Sequence, residues 1–316
     1  MNTPALIADI GGTNARFALA MDDGRVTQTR VLACADYADP AAAAQAFLAD
    51  VQPEIQPTIG AFGVASAVSG DRIDLTNHCW SFSTKDMRER IGLDRLRVIN
   101  DVEAMTLSVP HLGDTDIAHI GSGEPVPGAP IAAVAPGTGL GAAALIRDSE
   151  GKWIAVASEA GHASATAVRE REAAIIDAIR RRFGNVSVER VVSGPGLVNL
   201  YDAICEIDNA QVETITEPAK IAHRGRSGEC PCCVEALKMF SALFGTFAGD
   251  MALTFCARGG VFIGGGVVLK LGAGFDGAAF RRRFEDKGRF SDYLRAIPTY
   301  LITHETPALV GLAHAV

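Results

Sequence analysis

Short apolar runs recur along the chain, and several end directly on glycine. Ala5 to Ile10 (ALIADI) predicts a strand that stops at Gly11-Gly12. Ala15 to Met21 predicts a second strand, Asp22-Asp23-Gly24 a hairpin turn, and Val26 to Ala33 a third strand. The alanine-rich stretch Ala41 to Val51 reads as a helix, and Ile59 to Ala65 as a buried strand. Ser83 to Ile91 reads as a helix with Ser83 at its N-cap. Leu96 to Ile99 predicts a strand ending at Asn100-Asp101, followed by a helix from Val102 to Ser108 that Pro110 stops. Ile131 to Ala135 predicts a strand running into Pro136-Gly137-Thr138-Gly139, with Leu140 to Ile146 and Trp153 to Ala157 as the next two. Arg169 to Phe183 has helical spacing, with Ile175, Ile176, Ile179 and Phe183 on one face. Pro195 to Ile207 is a helix, and Cys233 to Cys256 a long apolar helix or helix pair interrupted near Gly245 and Gly249. Val261 to Ile263 is a strand feeding Gly264-Gly265-Gly266. A helix from Phe275 to Phe284, a strand from Thr299 to Thr303 and a helix from Pro307 to Val316 close the chain.

Strands and helices alternate, which makes the class α/β. The chain also repeats itself. Gly12-Thr13 and Gly137-Thr138 hold matching places after a first strand, and Gly24 and Gly151 close the next turn, at an offset of about 125 residues. This pattern reads as an internal duplication. The stretch 112–130, rich in Gly, Pro and Asp, is the expected boundary between the halves.

Composition narrows the function. Of 316 residues, 48% are hydrophobic and 21% charged, near the globular average, which excludes disorder for most of the chain. Lys and Arg number 29 against 37 Asp and Glu, a net charge of -8 with no long basic run. That argues against a nucleic-acid partner. No uninterrupted apolar stretch is long enough for a membrane span, and the first residues lack the pattern of a secretory leader. A cytoplasmic location is expected, with seven free cysteines. Cys230-Pro231-Cys232-Cys233, with His223 upstream, has the wrong spacing for a zinc site and reads instead as a redox-sensitive surface thiol group, with Cys233 facing a core. Arg281-Arg282-Arg283 reads as a solvated helix face.

Glycine is the outlier, at 33 residues, and its clusters carry the chemistry. Three loops follow apolar strands directly: Asp9-Ile10-Gly11-Gly12-Thr13-Asn14, Pro136-Gly137-Thr138-Gly139 and Gly264-Gly265-Gly266. Glycine lets a backbone approach a polyanion, and successive N–H groups in such turns make anion-binding concavities. Thr13 and Thr138 each add a hydroxyl. One loop alone would be an ordinary hairpin; three of them, two duplicated, point to phosphate. None matches the P-loop or the dinucleotide fingerprint. A carboxylate at a strand end beside such a loop, as Asp9 is, suits Mg²⁺ held through water.

DIGGTNAR, APGTGLG and FIGGGV, in this order, resemble the two phosphate loops and the adenosine loop of the sugar-kinase and actin ATPase fold. TNHCWSF, INDVEA, SEAGH, SVERVVSGPGLVNLY and FEDKGRF are similar to segments of the bacterial glucokinase family. The resemblance spans Ala5 to about Ala313. It implies two ribonuclease-H-like α/β domains with a cleft between them: residues 1–111 completed by 302–316, and residues 112–301. It implies ATP and Mg²⁺ as cofactors, D-glucose as the substrate, phosphorylation at O6, and a homodimer.

The resemblance assigns Asp101 as catalytic base, and phosphoryl transfer does need a carboxylate to take the acceptor's proton. An N-cap role is the alternative for Asp101. Asn100, Glu159, His162 and Glu189 are assigned to the sugar hydroxyls, which suit side chains that donate and accept. A local turn role for His162 and an ion pair between Glu189 and Arg190 are the plainer readings. Asp9, Gly11, Gly12, Thr13, Asn14, Gly137, Thr138, Gly264, Gly265 and Gly266 are assigned to Mg-ATP. Asn77 is a weaker sugar candidate, and Trp80 is expected in the core. The chain departs from the family pattern at Ala160, where glycine is usual, and at Pro136. Two other readings stand beside the kinase: another hexose or phosphoryl donor, and a sugar sensor without turnover.

Overall fold

The computed structural model describes residues 3–75 and 80–316. In chain order the strands and helices are β1 (Ala5–Ile10), β2 (Asn14–Ala20), β3 (Val26–Ala33), α1 (Pro40–Val51), β4 (Ile59–Val64), β5 (Arg72–Asp74), β6 (Ser81–Ser83), α2 (Thr84–Ile91), β7 (Arg95–Asn100), α3 (Asp101–Ser108), β8 (Ile117–His119), β9 (Ile131–Pro136), β10 (Leu140–Arg147) and β11 (Trp153–Ser158). They continue with α4 (Glu170–Phe183), α5 (Gly194–Ile207), α6 (Pro218–Ser227), α7 (Pro231–Thr254), β12 (Val261–Ile263), α8 (Gly266–Leu271), α9 (Gly277–Glu285), α10 (Ser291–Arg295), β13 (Thr299–Ile302) and α11 (Pro307–Ala313). Two compact units result. One comprises Met1–Asp116, Trp153–Ala157 and His304–Val316; the other comprises Ile117–Lys152 and Ser158–Thr303.

The first unit holds a sheet of order β3-β2-β1-β4-β7. β1 runs antiparallel to β2 and parallel to β4, and β4 runs parallel to β7. β1 reads ALIADI because both its faces are covered. Phe17, Phe47, Phe62 and Trp80 pack on one face, and Leu309 and Leu312 of α11 with Ala104 of α3 pack on the other. The parallel strands end together: Ile10 is level with Val64, and Val64 with Asn100. In open α/β sheets such carboxyl ends are where ligands bind.

The second sheet has the order β11-β10-β9-β12-β13-β8. Its β10-β9-β12-β13 core repeats the senses of β2-β1-β4-β7: one antiparallel pairing, then two parallel ones. The repeated strand order agrees with the duplication read from the two glycine hairpins. β8 adds an antiparallel edge inside the stretch read as a boundary loop; its three residues are too few for a periodic signal.

α7 is the core helix of this unit, long and apolar enough by composition to cross a membrane, but mostly buried among its own neighbours. It is one unbroken helix, contrary to the expected interruption. Gly245 and Gly249 are contact points rather than breaks. A Cβ on Gly245 would lie 2.1 Å from the carbonyl oxygen of Phe280, and one on Gly249 would lie 2.7 Å from that of Phe284. The two glycines let α9 lie directly against α7.

The arginine run on α9 also differs from expectation. Arg281 and Arg283 are buried, and only Arg282 is exposed. Arg281 donates to the carbonyls of Leu294, Arg295 and Ile297, at and just past the C-terminal end of α10. Arg283 pairs with buried Glu172 and donates to Thr246 at 2.8 Å. Cys233 faces the core as expected; Cys230 and Cys232 are buried as well, so the cluster does not form a surface thiol group.

Candidate functional site

The first glycine loop joins β1 to β2. Gly11 N–H donates to the carbonyl of Asn14 at 3.0 Å and closes a tight turn, leaving Thr13 and Asn14 exposed at its tip. Cys34 holds the loop from below, its N–H donating to Thr13 at 2.9 Å and its thiol to the Gly11 carbonyl at 3.5 Å. Asp9 is directly opposite Arg16 in the β1–β2 register, and Arg16 Nη1 lies 3.4 Å from Asp9 Oδ2. Arg16 sits inside the DIGGTNAR segment, yet loop chemistry alone gave no reason to single it out. The cross-strand register gives that reason.

Two strands away, β7 delivers Asn100 and Asp101 to the same sheet edge. Asn100 is the N-cap of α3; its Oδ1 accepts from the N–H groups of Val102 at 2.9 Å and Glu103 at 3.3 Å. Its amide donates to the Ser66 carbonyl at 3.3 Å. The cap is therefore Asn100 and not Asp101. Asp101 is the first helical residue, touched by the Val102 N–H at 2.9 Å.

Asp9 and Asp101 are crowded by protein and lie within electrostatic reach of each other. Burial, and then the charge of Asp9, push the Asp101 carboxyl up to about 7. Burial also raises Asp9, even though Arg16 pulls it down. Two carboxylates with only one nearby guanidinium leave this edge short of positive charge. It is chemically suited to a cation with a preference for oxygen donors.

In the second unit, the loop between β9 and β10 closes through Gly137 N–H to the Gly139 carbonyl at 2.8 Å. Gly194 N–H, at the start of α5, donates to the Gly137 carbonyl at 2.9 Å. The third glycine run lies against the same loop: Gly264 N–H donates to Val134, and a Cβ on Gly265 would be 2.5 Å from the Pro136 carbonyl oxygen. Gly265 also has φ +78°, a conformation that glycine tolerates. The structure thus joins Pro136–Gly139 and Gly264–Gly266 into one glycine-lined surface.

Glu189 reaches this surface too. Its Oε2 accepts from Leu140 N–H at 3.0 Å, while Arg190 stacks on Phe183, so the expected alternative of a Glu189–Arg190 pair is not what forms. Glu159 and His162 bracket a short 3-10 turn whose Gly161 is pressed on the Leu140 carbonyl; a Cβ there would be 1.9 Å from that oxygen. Both side chains are largely exposed, with His162 Nε2 3.9 Å from Glu159 Oε2. Val188 N–H donates to Ala163, tying the two turns together. Leu140 is therefore the point on which Glu159, His162, Glu189 and the second loop converge. Ala160, within this turn, packs partly buried against the core of the unit. Trp80 is buried, as expected for a core residue, and Asn77 lies outside the described residues.

The Glucokinase family model matches residues 6–316. The glucokinase of Paramagnetospirillum magneticum is 50% identical over 313 residues, covering 99% of this chain and 97% of that protein. The crystal structure of a glucokinase from an Antarctic psychrotroph superposes with a TM-score of 0.89 at 33% identity, covering 99% of this chain and 98% of that one. A ROK family glucokinase from Streptomyces griseus, in complex with glucose and AMPPNP, shares the fold at a TM-score of 0.66 and 20% identity, covering 99% of each chain. With a match across nearly its whole length, the chain belongs to the glucokinase family.

Proposed function

We propose that the chain transfers the γ-phosphoryl group of ATP to the O6 hydroxyl of D-glucose, with Asp101 as the general base. The observation that carries the base assignment is the placement of Asp101. It is freed from capping by Asn100, sits beside Asp9, and is tuned to about 7 by burial and by that neighbour. A base is most effective when its pKa lies near the working pH. Asp101 takes the proton from O6–H, the new O6–Pγ bond forms, and the bond from Pγ to the β,γ-bridging oxygen breaks to release ADP.

The remaining residues bind and orient. The backbone N–H groups around Gly11, Gly12, Thr13 and Asn14, and around Gly137 and Thr138, receive phosphate oxygens. Gly264, Gly265 and Gly266 give adenosine a surface without side chains. Asn100, Glu159, His162 and Glu189 read the sugar hydroxyls. Asn100 is held by Val102 N–H, Glu103 N–H and the Ser66 carbonyl, and Glu189 by Leu140 N–H, which fixes their orientation before sugar arrives. Asp9 and the charge-poor edge around it fit Mg²⁺, which when bound supplies the positive charge that the phosphates require. A cytoplasmic homodimer is part of the same reading.

The test is Asp101→Asn, which keeps the size and polarity of the side chain. Turnover should fall by about 10²- to 10⁴-fold, with glucose affinity by calorimetry within a few-fold of wild type. Turnover near the wild-type rate would remove Asp101 from the mechanism. A hexose panel with ATP, ADP and polyphosphate as donors settles strictness.

A further inference from the structure

At the opposite end of the first sheet lies a cavity of about 440 Å³, lined by the starts of β4 and β7, by Arg88 of α2, and by Ala315 and Val316. Three arginines line it, Arg88, Arg95 and Arg97, with the carboxylate of Asp94; Glu89 and Glu103 beside it make long contacts with Arg88 and Arg97. Roughly 17 Å of extended strand separates Arg95 from Asn100 at the other end of β7, so the cavity is distinct from the phosphoryl-transfer edge.

The three arginines are not used up by the fold. Arg88 Nε is buried and has no hydrogen-bond partner, the one such side-chain atom among the described residues. Its Nη2 makes a single 3.3 Å contact with the exposed Glu89. Arg95 has no side-chain hydrogen bond or ion pair among the described residues, and it occupies an exposed position on an edge strand. Arg97 donates to the Ala315 carbonyl at 3.3 Å and to Glu103 at 3.4 Å, both long contacts. Arg95 and Arg97 are two apart on β7 and so share a face of the strand. Buried donors in proteins are almost always satisfied, so one left over calls for a partner such as a bound anion or an ordered water. Guanidinium forks match tetrahedral oxyanions, donating two hydrogen bonds to one phosphate.

We infer that this cavity is a second anion site, taking a small phosphate-bearing molecule through Arg88, Arg95 and Arg97. Neither the glycine loops nor the acidic pair belongs to it.

The experiment is a titration of the full chain, carrying nitrogen-labelled arginine, with inorganic pyrophosphate, read on the Nε–H signals. Arg16 reports the first glycine loop, and Arg88 and Arg95 report the cavity. The proposal expects Arg88 and Arg95 to shift along one saturating curve, separate from any curve of Arg16. Arg95→Gln should weaken that curve by at least about tenfold while leaving the Arg16 curve in place. Arg88→Lys keeps the charge but removes the orphaned donor, and should weaken the curve as well. Inorganic phosphate and a hexose phosphate, titrated in parallel, tell a free anion from a phosphate ester. Shifts confined to Arg16, or cavity shifts unaffected by both variants, overturn the proposal.

Discussion

The two glycine hairpins share a backbone plan and differ in chemistry. Each closes a short turn between antiparallel strands, and each first strand then pairs in parallel with a neighbour. In the first, the strand brings its own carboxylate, Asp9, with Arg16 across from it, and β7 adds Asp101 at the same edge. In the second, the strand ends in Pro136 and brings no charge; its carboxylate, Glu189, comes from a later segment and is spent on Leu140 N–H. If the proposed function holds, both turns receive phosphate, whereas the general base comes from the edge that carries Asp9 and Asp101. The second hairpin serves as an anchor: Gly137 holds the start of α5, Pro136 meets the third glycine run, and Leu140 receives the turns at 159–162 and 188–190.

The comparison is broken most severely at Gly161. A Cβ there would overlap the Leu140 carbonyl, whereas a Cβ on Gly137 meets nothing within 4 Å. Gly161→Ala should destabilise the chain by about 3 kcal/mol and abolish glucose binding, because the turn must leave β10. Gly137→Ala should keep its melting temperature and instead raise the KM for ATP. Equal melting temperatures for the two variants would contradict the packing described around Leu140.

Next in size is Glu189→Gln. The isosteric amide can still accept from Leu140 N–H but loses the charge, so kcat/KM for glucose should drop by about tenfold with little change in stability. An unchanged kcat/KM would make Glu189 a purely structural residue.

The remaining effect is on the pH dependence of stability and comes from the acidic pair. The Asp101 pKa is raised in the fold, so between the ordinary carboxylate value of 3.8 and about 7 the folded chain binds more protons than the unfolded one. Stability should therefore decline as pH rises through that window and level off above it. Asp101→Asn should flatten this decline, measurable by denaturant unfolding at several pH values. An identical slope in the variant would show that the proton goes elsewhere.

Much of this was legible in the sequence for a physical reason. A six-residue apolar strand ending on glycine, as at Ala5–Ile10 and Ile131–Pro136, leaves few alternatives. The cap at Ser83 was equally plain, since its hydroxyl accepts from Asp86 N–H as such a residue should. What failed depended on partners remote in the chain. Gly245 looks like a helix breaker until Phe280 is placed on it, and Arg281 and Arg283 look solvated until the carbonyls of Leu294–Ile297 and the Glu172 carboxylate surround them. At the site, the glycine loops and Asp101 could be named from local pattern and resemblance. The Asp9–Arg16 pairing and the convergence on Leu140 could not, because strand register and the folding-back of 159–162 and 188–190 create them.

The central claim, that Asp101 is the base and that the Asp9 charge adds to the effect of burial on it, is tested most directly by the pH profile of kcat/KM for glucose in the wild type and in Asp9→Asn. Burial and the Asp9 charge hold the Asp101 carboxyl up to about 7, so the wild type should show an ascending limb near that pH. Asp9→Asn removes the repulsion, and its residual activity should rise along a limb displaced to lower pH. A limb that stays in place when the Asp9 charge is removed, or that survives in Asp101→Asn, would contradict the account.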